Sequence, residues 1–233
     1  TVTQFQAQAY KELLPPEGPI RTQIVGEITP QIEEQSQRVK EFMNYQISYE
    51  MEEYDQELDQ MLFHLPLAGS AFKKVYYDAV KGRAVSKFVP AEDVVMPYVS
   101  TDMESCERVT HVVKIMGNEL RKKQVGGMYR DIDVSMSPVE KNDAGEKYDD
   151  LDGITATQNA EDIVLLEFHC DLDIPGFEDK NSQTGEVTGI KLPYVVTVDE
   201  GSGKVLSIYR NYQENDPLRK KIQYFVHYKF LPG

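Results

Sequence analysis

Residues 60–78 read QMLFHLPLAGSAFKKVYYD, and the change of period inside this stretch decides the fold class. Leading into it, Tyr54, Leu58, Met61, Leu62 and Leu65 recur at helical spacing, backed by Glu53, Asp55, Glu57 and Asp59. Those carboxylates favour the positive end of a helix dipole. Pro66 cannot donate to the carbonyl four residues back, so the helix is expected to kink or stop at Leu65. Gly69 then redirects the chain, and from Phe72 to Tyr77 the side chains alternate with a period of two. Asp78 to Gly82 reads as a turn and Arg83 to Val89 as a returning strand. The stretch is therefore a helix-to-hairpin corner whose candidate residues are Pro66, Gly69, Lys73 and Lys74. The two lysines point to opposite faces of a strand. They are expected to face solvent or guard a sheet edge, with a binding role as the alternative.

Outward from the corner, Phe5, Ala9 and Leu13 share one helical face before Pro15, Pro16, Gly18 and Pro19 end it, which predicts a helix over 3–14. A second helix starts with Thr29 as N-cap and Pro30 in the first position. It carries a partial stripe of Ile32, Val39, Phe42, Met43 and Gln46 and is expected to end near Ser48. Beyond the hairpin, strands are predicted at Arg108–Met116, Ile163–Cys170, Ile190–Val198, Lys204–Arg210 and Ile222–Phe230. A short helix at Asn118–Val125 is closed by Gly126-Gly127. The fold class is α+β: a helical segment over 1–66, then a mainly β region of mixed or antiparallel hairpins over 67–233. Residues 136–162 hold eight acidic residues against Lys141 and Lys147 and read as an insertion-type loop.

A chain of 233 residues with 40% hydrophobic content can build a real core. Its apolar runs are far too short to span a membrane as a helix, and no basic-then-apolar leader opens it. Cys106 and Cys170 lie far apart without a CxxC pattern, which argues for reduced, structural thiols. A net charge of -14 argues against a general nucleic-acid clamp, because such clamps work by replacing counterions with Lys and Arg. The start at Thr1 and the stop at FLPG are read as a piece of a longer polypeptide.

Several chemistries are considered and set aside. GSGK at Gly201–Lys204 resembles a phosphate loop, but Val198 stands where the first glycine belongs and Val205 where Ser or Thr would bind magnesium. A hairpin turn is the better reading. His169 and Cys170, adjacent on a strand, point to opposite faces, and His64, His111 and His227 have no ligand at metal spacing. Asp131/Asp133 and Asp171/Asp173 place carboxylate pairs on one strand face but lack the Gly and Glu of a calcium loop. Ser70 lacks the second glycine of a nucleophile elbow. No catalytic residue, cofactor site or metal site is assigned. Two basic clusters, Arg121, Lys122 and Lys123 on the short helix and Arg219, Lys220 and Lys221 before the last strand, are candidate interfaces.

LPLAGSAFKKVYYD, with RVKEFMNYQ upstream and FVPAEDVV, YRDIDV and FVHYKFLPG downstream, in that order, resembles the portal proteins of tailed bacteriophages, the short-tailed type in particular. The resemblance spans almost the whole chain and rests on no single catalytic motif. It implies a virion subunit, made in the host cytoplasm, of a ring of about twelve copies at one capsid vertex. Such a ring encloses the channel for packaging and ejection of double-stranded DNA. It also implies docking of the terminase large subunit, a head-tail adaptor and the major capsid or scaffolding protein, no enzymatic activity, no cofactor and no membrane partner. By the same likeness these residues form an N-terminal, wing-type portion of a longer portal chain. An acidic channel wall would let DNA slide. The alternative is a non-portal virion component, such as a carbohydrate-binding or hydrolytic domain, since α+β domains rich in tyrosine can host sugar sites.

Overall fold

Apolar stripes, caps and strand alternation place the elements where local chemistry dictates. The computed structural model describes residues 1–100, 102–134, 162–181 and 184–230. The fold is α+β. By contacts the chain divides into two compact units, one formed by Thr1–Ala91 with Tyr224–Gly233 and the other by Glu92–Gln223. The helices of 1–66 thus share a unit with the hairpin that follows them and with the last strand.

In the first unit, helix α1 spans Val2–Leu13, α2 spans Pro30–Tyr45 and α3 spans Tyr54–Ala68. Thr29 caps α2 by accepting from the Ile32 amide at 3.3 Å, with Pro30 in its first turn. Its path continues through a π-helical turn at Gln46–Glu50, so helical backbone reaches past Ser48. Strands β1 (Ser70–Asp78), β2 (Arg83–Pro90) and β8 (Phe225–Lys229) form an antiparallel sheet in the order β2-β1-β8. Leu58, Met61, Leu62 and Leu65 of α3 are buried with Ala71, against Phe5, Ala9 and Tyr10 of α1 and Phe88 and Tyr228 of the sheet. The expected stripe of α3 is thus its core face.

At the corner the stop at Leu65 and the edge-guarding role of the lysines are both overturned. Helix α3 does not stop at Leu65 but runs through Pro66 to Ala68. Proline removes only its own amide bond, and this close to the C-terminus the turn is still held by the Gly69 amide donating to Leu65 O at 2.8 Å. The chain turns at Gly69, which adopts the left-handed conformation with φ 74°. The lysines also depart from expectation. Strand β1 lies in the middle of its sheet and cannot guard an edge, and Lys73 is only 3% exposed. Alternation says that Lys73 and Lys74 diverge, but not that a helix covers the Ala71–Lys73 side.

In the second unit, β3 (Val94–Val95), β4 (Arg108–Met116), β5 (Asp162–Leu172), β6 (Leu192–Asp199) and β7 (Val205–Arg210) form an antiparallel sheet in chain order. Helix α4 (Gly117–Val125) follows β4 and places Leu120 on Ile115, Ile163, Leu165 and Leu206. A second cluster of Leu192, Tyr194 and Val196 packs with Phe168 and Leu172. Two strands begin later than their patterns suggest: β6 at Leu192 rather than Ile190, and β8 at Phe225 rather than Ile222. The acidic stretch 136–162 lies outside the described residues except for Asp162, where β5 begins.

Candidate functional site

The α3–β1 corner is the first candidate. Lys73 projects from β1 toward α3, between the cross-strand neighbours Phe88 and Val226. Its Nζ sits 3.8 Å from the centre of the Tyr54 ring and makes no hydrogen bond. Burial pushes its pKa down to about 8, against the opposing pull of Glu57. Glu57 itself accepts the Phe88 amide at 2.6 Å, so its carboxylate is already engaged. Glu53 forms an ion pair with Arg83 at 2.7 Å and accepts from the Ser86 amide at 3.3 Å. Two carboxylates of α3 thereby hold backbone amides of β2 and tie the helix to the sheet. Tyr10 of α1 donates to Asp55, and that bond pushes the phenol up to about 12. On the other face of β1, the Lys74 ammonium lies 5.3 Å from the Tyr76 ring and 5.6 Å from the Phe225 ring.

The same corner joins Ser70 to His227, a pair far apart in sequence. Ser70 Oγ and His227 Nε2 are 2.7 Å apart, and the imidazole stacks on Phe72 with ring centres 4.4 Å apart. Burial, aided by Lys229, holds His227 below its usual pKa and favours the neutral ring. A hydroxyl bonded to a neutral imidazole is half of a nucleophile–base arrangement. Among the described residues no carboxylate orients this ring, and the bond serves to close the β1–β8 seam.

Four of the six side chains of the basic clusters have a partner within their own unit. Arg121 pairs with Asp131, and Lys123 lies 4.0 Å from Glu119 and over the Tyr129 ring; Lys122 is exposed. Arg219 pairs with Asp179 at 3.6 Å and Lys221 donates to Cys106 O at 2.7 Å, while the Lys220 backbone amide donates to Asp216. Asp131 and Asp133 lie outside any strand, with Asp131 held by Arg121. Among the described residues no group of His, Cys, Asp and Glu side chains is arranged to hold a metal ion. Gly201–Lys204 is the β6–β7 turn, with Asp199 accepting from the Ser202 amide at 3.1 Å. Lys204 Nζ donates to Asp133 O at 2.9 Å.

The five-stranded sheet carries two further features. His111, Glu167, Thr197 and Ser207 face one another in succession across β4 to β7. His169 Nε2 lies 2.6 Å from Glu167 Oε1. Tyr129 joins this row, its pKa pushed up to about 12 by burial and by Glu167. At one end of the sheet a cleft of about 550 Å³ has an apolar floor of Phe168, Leu172 and Val196 and a rim of Glu107, Arg108, Asp171 and Lys191. Burial raises the Asp171 carboxyl, and Lys221 opposes that rise. The floor suits an apolar side chain, and the rim offers both signs of charge.

The buried amine, the Ser70–His227 pair and the polar row were not identifiable from spacing, because each depends on strand register between distant segments. No family model matches the chain, and no curated protein matches it.

Proposed function

We propose that the chain is a structural subunit of a tailed-phage portal ring at one capsid vertex. In this role it forms part of the channel for double-stranded DNA and of the platform for terminase, adaptor and capsid or scaffolding protein. The observation that carries the proposal is the run of five segments, from RVKEFMNYQ to FVHYKFLPG, that resemble portal sequences in one order. The structural facts fit an architectural role. Those segments lie on α2, on the α3–β1 corner, along β2 to β3, beside α4 and, for Phe225–Lys229, on β8, and the carboxylates of Glu53, Asp55 and Glu57 at the corner are engaged by backbone amides, Arg83 or Tyr10. The net charge of -14 suits a wall along which DNA passes without being gripped.

Negative-stain microscopy of the full-length protein is the direct test. Closed rings with a central opening are expected. A stable monomer across a range of salt and protein concentrations refutes the proposal.

A further inference from the structure

Helix α2 is amphipathic the wrong way round for a helix covered only by its own unit. Its half-buried side includes Ser36, Lys40 and Asn44. Asn44 exchanges two hydrogen bonds with the Ile20 backbone, at 2.9 and 3.1 Å, and Ser36 donates to Thr22 at 2.8 Å. Its apolar residues face out: Ile32, Val39, Phe42 and Met43 are 38%, 50%, 58% and 40% exposed, and no residue of the helix is buried. With Gln35 they occupy one continuous side, Ile32 and Val39 seven apart and Gln35 and Phe42 seven apart, and the half-buried Gln46 and exposed Tyr49 follow in the π-helical turn. That is the seam of a helix packed against another element. Tyr45 and Tyr49 extend it as a stacked pair with centres 5.6 Å apart.

We infer that this face of α2 is a contact between neighbouring copies of the chain, which deepens the portal-ring reading and rests on it. Two arguments select a second copy as the occupant. The first is charge: the stripe carries no carboxylate, its ionisable groups being the two tyrosine hydroxyls and, in line with Tyr45, Arg38, in a chain with a net charge of -14. Copies that met through their acidic surfaces would repel, whereas a stripe free of carboxylates lets them approach. The second is area. Ile32, Val39, Phe42, Met43, Tyr45 and Tyr49, about half exposed on average, offer on the order of 600 Å². Val25 and Ile28, exposed immediately before the helix, bring this near the roughly 800 Å² that each partner contributes to a standard interface. In a ring the contact is heterologous, α2 of one copy meeting a different surface of the next.

The test uses the full-length protein and the variants Val39→Lys and Phe42→Glu, with Val187→Glu, an exposed position in the other unit, as the control. Sedimentation and negative-stain microscopy measure assembly, and circular dichroism measures folding. Because both positions are exposed, the melting temperature should stay within about 2 °C of wild type. Association should weaken at least roughly tenfold for each α2 variant and not change for the control. Rings that survive both substitutions overturn the α2 contact and leave the portal reading standing. Dimers or open assemblies that disappear on substitution keep the contact and overturn the ring.

Discussion

Replacing Lys73 by methionine keeps an unbranched side chain of similar length in the space under Tyr54 and removes a buried, unbonded ammonium. The amine has a folded pKa of about 8 against an ordinary 10.5. Between those values the unfolded chain holds a proton that the folded chain has lost. Stability is therefore lowest below pH 8, rises through the window and levels off above 10.5. The full shift corresponds to roughly 3 kcal/mol. Attraction of the ammonium to the Tyr54 ring, about 1 kcal/mol, favours the charged folded form and trims the penalty to roughly 2 kcal/mol. Other groups bound the usable range. Tyr10, Tyr54 and Tyr228 have raised pKa values in the fold, so above about pH 10 the unfolded chain ionises first and stability falls again. Urea unfolding between pH 7.5 and 9.5 should thus show wild type gaining roughly 1–2 kcal/mol. Lys73→Met should stay nearly flat and be the more stable protein at pH 7.5. Parallel pH profiles for the two proteins, or a methionine variant destabilised at neutral pH, would refute the reasoning.

At the end of α3, a Cβ on Gly69 would meet nothing within 4 Å, so substitution isolates the cost of its φ of 74°. Gly69→Ala should lose about 1–2 kcal/mol by denaturant titration and Gly69→Val more, with Gly69→Asn the mildest; an alanine variant as stable as wild type would contradict the corner's backbone requirement. With 39 acidic against 25 basic residues, and with several of the clustered basic side chains bound internally, affinity for a random DNA duplex at physiological salt should be weak. Submicromolar binding with a steep salt dependence, measured by fluorescence anisotropy, would reveal a basic patch that net charge conceals.

Local signals were legible and cross-chain ones were not. The stripe on α3, the Thr29 cap and the bounds of β4 follow from periodicities and side-chain preferences inside single segments. Lys73 illustrates the limit. Its alternation partner was correct, yet its burial depends on α3 folding back over β1 and on β8, which arrives late in the sequence, making β1 a central strand. The stop at Pro66 is absent for a different reason: proline removes its own amide bond, and two residues before the end of α3 the last turn is still closed by the Gly69 amide on Leu65 O. Ser70 meets His227 because Phe72 is in register with His227 across the β1–β8 ladder, a pairing that neither local pattern encodes. On α2 the stripe was visible, but that its polar side turns inward was not, since this rests on Asn44 matching the backbone at Ile20.

Strand β8 gives the first unit an unusual schedule. Its helices and hairpin leave the ribosome early, but the strand that completes their sheet follows about 130 residues later, after all of Glu92–Gln223. At about 5–20 residues per second that is a wait on the order of ten seconds. During it the β1 edge destined for β8 has no partner, while the second unit, being continuous in sequence, can fold from its own residues. A nascent chain stalled before Tyr224 therefore presents an open, apolar-flanked strand that invites pairing with another nascent chain. Strand β8 acts as a late latch, and the rate at which the residues before it are synthesised sets how long the incomplete sheet of the first unit needs protection from aggregation.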